Sequence, residues 1–196
     1  VTVTDRGSAT TRFAYDRNHY LLSIQDPLGR QPIRNEYDES GRLVRSTDAF
    51  GKTIDLTHSL AASREVVTDR LGHSRVLEYD ARGNVVRETD ALGGTTSRTF
   101  DADNRLLSET DPLGRMATFT YDADGNRTSI TDPLGNRTSY TYDAKGNLLA
   151  TTDPRGKVTA NTYNATGNLL TTTDPLGNVT RHTYDARGNL LTRTDA

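Results

Sequence analysis

An all-β fold built from tandem hairpins is what this sequence predicts, and three observations carry the prediction. Aromatic or His residues recur at Tyr15, Tyr37, His58, Tyr79, Phe100, Tyr121, Tyr142, Tyr163 and Tyr184, at a first interval of 22 residues and 21 thereafter. Asp keeps the same beat at positions such as Asp5, Asp26, Asp48, Asp69, Asp90, Asp111, Asp132, Asp153, Asp174 and Asp195. Between these markers lie runs of about five residues rich in Thr, Leu, Val and Tyr, which favour a pleated chain. A fixed period over about nine units is the signature of a repeat architecture.

The unit Asp132–Thr152 shows the logic. It opens on Asp132-Pro133-Leu134-Gly135. Asp accepts bonds from backbone two residues on, Pro pre-sets φ, and Gly takes positive φ. Pro recurs here at 27, 112, 133, 154 and 175. A strand, Thr138–Tyr142, leads to a second turn, Asp143-Ala144-Lys145-Gly146-Asn147, and a second strand, Leu148–Thr152, completes the unit. Gly holds the second turn at 41, 83, 125, 146, 167 and 188, and Asn104 stands there in one unit. A type I turn closed by a left-handed Gly bulge suits both sites. In Leu60–Glu65 the second turn is missing, and the expectation is an altered turn, with a single helical turn as the lesser option.

The odd period carries a constraint. Opposed residues in antiparallel strands share a face, and a one-residue slip inverts it. Keeping Tyr142, Tyr163 and Tyr184 on one face therefore requires one odd and one even loop, or one bulge per unit. Nine units give about 18 strands, and at roughly 4.8 Å per strand a flat sheet would run about 85 Å. Sheets twist and curl before that width, so a curved or spiralling antiparallel sheet is expected.

Composition narrows the function. Hydrophobic residues make up 33%, enough for a thin core only. The 24 basic and 26 acidic residues alternate along the chain, which speaks against nucleic acid as a partner. No apolar run approaches the ~20 residues of a membrane helix, so no membrane partner is expected. There is no Cys, which removes disulfides, thiolate metal sites and Cys nucleophiles. Arg outnumbers Lys, a weak hint of a GC-rich bacterial source.

No candidate chemistry survives inspection. Asp122-Ala123-Asp124-Gly125-Asn126 faintly resembles a calcium loop, but an EF-hand loop carries its Gly at position 6. Turn-capping is the expected role of these Asp residues. His19, His58, His73 and His182 lie in different units without ligand spacing and read as scattered surface histidines. The Asn-x-Ser/Thr sequons at Asn126, Asn136, Asn164 and Asn178 are a by-product of the repeat. The Tyr row is expected to serve cross-strand packing, with glycan or receptor recognition as the sharper alternative. No catalytic residue, metal site or cofactor is expected. The residues that define the repeat structurally are Tyr79, Asp80, Gly83, Tyr121, Asp122, Gly125, Tyr142, Asp143, Gly146, Tyr163, Gly167, Tyr184, Asp185 and Gly188.

The pair Tyr-Asp stands at 15–16, 37–38, 79–80, 121–122, 142–143 and 184–185, and Tyr-Asp-x-x-Gly-Asn/Arg-Leu/Val-Leu/Val is intact at 37–44, 79–86, 142–149 and 184–191. These residues resemble the RHS/YD-repeat family: rearrangement-hotspot proteins, toxin-complex shell subunits, wall-associated proteins and teneurins. The resemblance covers essentially the whole chain. It implies a spiralling β-sheet forming part of a hollow shell around a polypeptide cargo, often a toxic C-terminal domain of an exported protein. Residues 1–65 depart furthest, with His19 for the turn Gly and Ser59 and Ala62 for Asp and Gly, whereas 66–196 are near consensus apart from Asn164 for Asp.

The chain starts in a strand-like run, Val1–Thr4, and stops at a turn, Asp195-Ala196, so a single array cut mid-repeat at both ends is expected. No targeting signal is visible, and a secreted or cell-surface setting follows only from the resemblance. The expected partners are the rest of the parent polypeptide or an enclosed effector. Open sheet edges point to a homo-oligomer as well.

Overall fold

The computed structural model describes residues 1–195, and among them there is no helix. Two compact units divide the chain, Val1–Ser97 and a second from Arg98 onward. The first contains β1 (Thr2–Thr4), β2 (Thr10–Tyr15), β3 (Leu21–Gln25), β4 (Ile33–Tyr37), β5 (Leu43–Thr47), β6 (Thr53–Ser59), β7 (Arg64–Thr68), β8 (Ser74–Tyr79) and β9 (Val85–Thr89). The division falls inside β10 (Thr95–Phe100). The second holds β11 (Leu106–Thr110), β12 (Met116–Tyr121), β13 (Arg127–Thr131), β14 (Arg137–Tyr142), β15 (Leu148–Thr152), β16 (Val158–Tyr163), β17 (Leu169–Thr173), β18 (Val179–Tyr184) and β19 (Leu190–Thr194). Within each unit successive strands pair antiparallel, as a meander of hairpins.

The turns explain the periodic Asp and Gly. In the unit above, Gly135 N–H donates to Asp132 C=O at 2.9 Å and Asp132 N–H to Asn136 C=O at 3.0 Å. Gly146 and Asp143 repeat this at 3.0 Å, with Asp143 N–H to Asn147 C=O also at 3.0 Å. Gly135 and Gly146 have φ of 84° and 81°. Both turn classes thus have the expected three-residue loop with a left-handed closing residue. Where Gly is replaced, the left-handed residue is Ser8 (φ 64°), His19 (φ 66°) or Asn104 (φ 63°), and Ser63 (φ 47°) serves in the altered turn. That turn, residues 60–63, is not helical; Ser63 N–H donates to Leu60 C=O at 3.1 Å.

Since both loops have odd length, the asymmetry has to sit elsewhere. It is a bulge. Tyr142 stands opposite Leu148 and Thr141 opposite Ala150, which leaves Leu149 unpaired. The same displacement leaves Leu22, Val44, Val86, Thr128, Leu170 and Leu191 unpaired. One unpaired residue per repeat makes the odd period compatible with constant faces. Ser129 stands opposite Ser139, which stands opposite Thr152, two residues beyond Ala150, the repeat equivalent of Ser129. The register therefore advances by an even step in each repeat, and every Tyr keeps its face.

Two irregular hairpins obey the same rule. Leu60–Ser63 is a four-residue loop, Ser59 stands opposite Arg64, and β6 and β7 pair without a bulge. The residue that elsewhere bulges has moved into the loop. The extra residue of the first interval is taken up at Gln31-Pro32, before Ile33 pairs with Ile24. Pro lacks the N–H a ladder would use there.

Neither unit has a sealed core. Among the described residues no apolar side chain is buried, and Ser129, at 2% exposure, is the buried polar one.

Candidate functional site

The recurring Asp, Tyr and loop-tip residues form three rows, and each does a different job. The first is the row of turn Asp residues. Asp143 Oδ1 accepts the N–H groups of Lys145 and Asn147, both at 2.9 Å, and Oδ2 accepts the Asn147 side-chain amide at 2.8 Å. Asp80 with Asn84, Asp122 with Asn126 and Asp185 with Asn189 repeat the pattern, at 2.9, 3.0 and 2.8 Å for the amide. Arg takes the place of that Asn beside Asp26, Asp101 and Asp111, at 2.6 Å each time. Asn164 does the same with its Oδ1, accepting from the N–H groups of Thr166 and Asn168 at 3.0 and 2.9 Å.

These bonds favour the charged carboxylate, so its pKa falls. The Asn84 amide, ahead of the backbone N–H groups, brings Asp80 down to about 2. Asp122, Asp143 and Asp185 are lowered for the same reason. Asp122 is thus occupied as a turn cap, and no His/Asp/Glu group suited to a metal occurs among the described residues.

The second row is Tyr, and here packing is not the whole story. Tyr142 Oη donates to Arg127 C=O at 2.9 Å, Tyr163 to Leu148 at 2.9 Å and Tyr184 to Leu169 at 2.9 Å. Tyr121 reaches Leu106 and Tyr37 reaches Leu21, both at 3.0 Å. Arg127 is the residue opposite Tyr121, and Leu148 the residue opposite Tyr142. Each hydroxyl therefore ties its repeat to the strand start that faces the preceding Tyr. The Asn-bearing repeats double the tie, with Asn161 Nδ2 donating to Leu148 C=O at 3.1 Å.

His58 belongs to this row, which corrects its reading as a scattered surface histidine. It is half-buried, and its Nε2 lies 2.9 Å from Leu43 C=O, where Tyr would reach. His182 is half-buried too, its Nδ1 without a hydrogen-bond partner, whereas His19 and His73 are exposed. The altered turn breaks the row in one place. Tyr79 donates to Glu65 Oε2 at 3.0 Å instead of a carbonyl, and His58 Nδ1 lies 3.7 Å from the same oxygen. Burial, then the Glu65 bond, raises the Tyr79 pKa.

The third row is the loop tips. Turns of the Asp-Pro-Leu-Gly class carry Leu28, Phe50, Leu71 and Leu92 in the first unit and Leu113, Leu134 and Leu176 in the second, all exposed. The sequence shows these residues; only the structure shows that they cover nothing.

A single-layer antiparallel repeat array without a sealed core is the class these features define. The RHS repeat model matches residues 64–96, 100–137, 121–158 and 163–196. The chain belongs to the RHS repeat family. No curated protein matches it by sequence at a significant level. Among solved structures it is similar to the crystal structure of TcdB2-TccC3-Cdc42, with TM-score 0.53 and 17% identity, covering 95% of this chain and 14% of that one. It is also similar to the pore form of a Photorhabdus luminescens Tc holotoxin carrying a TccC3 mutation, with TM-score 0.52 and 17% identity, covering 99% of this chain and 14% of that one. At that identity the likeness is one of fold, and this chain spans a small part of either neighbour.

Proposed function

We propose that this chain is a wall segment: a structural scaffold of a larger exported polypeptide that encloses or presents an effector segment, without chemistry of its own. The observation that carries this reading is the missing core. The described residues expose 13190 Å², where a compact monomer of this mass would expose about 9,200 Å². Leu, Val and Tyr of the strands stay half-buried at best, so the layer is suited to being covered from outside itself. The family and the fold neighbours, both from toxin complexes, support a shell. The Asp caps and Tyr ties supply what a wall needs, a closed network of backbone hydrogen bonds that excludes a polypeptide. Against a glycan-binding role stands the use of the Tyr hydroxyls within the array.

The test is protease protection in the parent protein. The segment following the repeats should resist limited proteolysis in the intact chain and be digested at least tenfold faster when residues 98–196 are deleted. Equal digestion rates in the two would overturn the enclosing role.

A further inference from the structure

The two turn classes are an experiment already done within the molecule. They share backbone geometry, Asp cap and left-handed closing residue, and differ in the residue before that Gly. At this position one class carries Leu or Phe in seven turns, exposed from 75% at Leu113 to 97% at Leu92, and Arg155 in another. The other class carries Arg82, Asp103, Asp124, Lys145, Thr166 and Arg187 at the same place. The turn itself therefore does not require an apolar tip. In a meander the two classes lie on opposite edges, so one edge is tipped mainly with Leu, Arg155 apart, and the other with polar side chains, the altered turn with its exposed Leu60 apart.

From this contrast we propose that the Leu-tipped edge is an interaction surface and that its partner is a second copy of the same array, docked tip row against tip row. The spacing argues for this partner. Tips recur once per two strands, at roughly 10 Å. A partner that meets each of them must repeat at the same interval, and the array's own edge does. The size of the surface sets the strength. Each tip offers roughly 100 Å² of apolar side chain, so four tips meeting four bury roughly 800 Å² in all, about two thirds of the roughly 1,200 Å² at which lasting interfaces begin. Association is thus weak for one unit and grows with repeat number. The position is also distinct from the open strand edges at β1 and β19, where backbone pairing would drive association. The proposal does not depend on an enclosed effector, and it can fail while the wall reading stands.

Arg155 tells how to test it. It is the tip of the Asp153 turn, and its N–H still donates to Asp153 Oδ1 at 2.9 Å, so this turn keeps its cap with Arg at the tip. Leu134→Arg copies a natural turn and should leave the circular dichroism spectrum unchanged. In sedimentation equilibrium of the 196-residue chain it should weaken self-association about tenfold, and Arg155→Leu should strengthen it about tenfold. The chain has no Cys, so single-Cys probes read the contact directly. Leu134→Cys should form a disulfide-linked dimer on mild oxidation, and Asp124→Cys, at the matching tip of the other edge, should not. A strictly monomeric wild type, unchanged association in both Leu134→Arg and Arg155→Leu, or equal crosslinking of the two Cys variants would overturn the proposal.

Discussion

The hairpin around Leu60–Ser63 and the hairpin around Asp143–Asn147 reach the same register by different routes. The second has a three-residue loop and an unpaired Leu149; the first has a four-residue loop and no bulge. What is held constant is neither the loop nor the bulge but the parity they produce together. The irregular hairpin loses the carbonyl tie of its following Tyr as a result. Tyr79 turns to Glu65, while Tyr142 reaches the Arg127 carbonyl.

The largest effect should come from adding a second unpaired residue to a strand. Inserting one Ala between Ala150 and Thr151 gives β15 a second unpaired residue, and the melting temperature should fall by about 10 °C, as for a loss of a few kcal/mol in a unit of this size. Deleting Leu149 leaves every pair of β14 and β15 in place and makes this hairpin as regular as the one at 60–63. It should cost less than half as much in the same thermal melt. Equal effects would show that any departure from one unpaired residue costs the same.

Glycine substitutions show a further difference between hairpins. Gly41 and Gly83 have φ of 80° and 87°, so Ala at either is strained by about 1 kcal/mol or more. At Gly83 the added Cβ meets nothing, whereas at Gly41 it meets the Tyr20 ring, which stacks on Tyr37 at 5.1 Å. Gly41→Ala should therefore destabilise clearly more than Gly83→Ala in urea unfolding.

Next come the ties. Tyr142→Phe removes the bond to Arg127 C=O and should cost about 1 kcal/mol. Tyr163→Phe should cost less, because Asn161 still donates to the same carbonyl as Tyr163. Denaturant midpoints of the two variants check the order, and a larger loss at Tyr163 would break the idea of a doubled tie.

Acid should give the smallest and latest effect. Asp80 and Asp143 have lowered pKa values in the folded chain, and free Asp titrates near 3.9. The unfolded chain therefore binds protons first as pH falls. The caps' contribution is complete above about pH 4 and is lost toward the folded value, about 2 for Asp80. Melting temperatures should be flat from pH 7 to 5 and decline below 4. The decline should be shallower in Asp143→Asn, which keeps an Oδ1 acceptor as Asn164 does.

The sequence by itself determined the strands, both turns with their Asp and Gly, and the need for one asymmetry per repeat. Those are local matters, since turn geometry and alternation follow from neighbours in the chain. The sequence did not determine which asymmetry would be used, because a bulge and an extra loop residue satisfy parity equally. It placed His58 on the Tyr beat but did not reveal the carbonyl bond through which His58 stands in for Tyr. The carbonyl they seek belongs to the preceding repeat, and its distance exists only once the strands are in register. The exposure of the Leu tips was likewise decided by the tertiary structure. A Leu beside a turn Gly reads the same whether it folds back on the sheet or projects from its edge, and only the packed strands show that it projects.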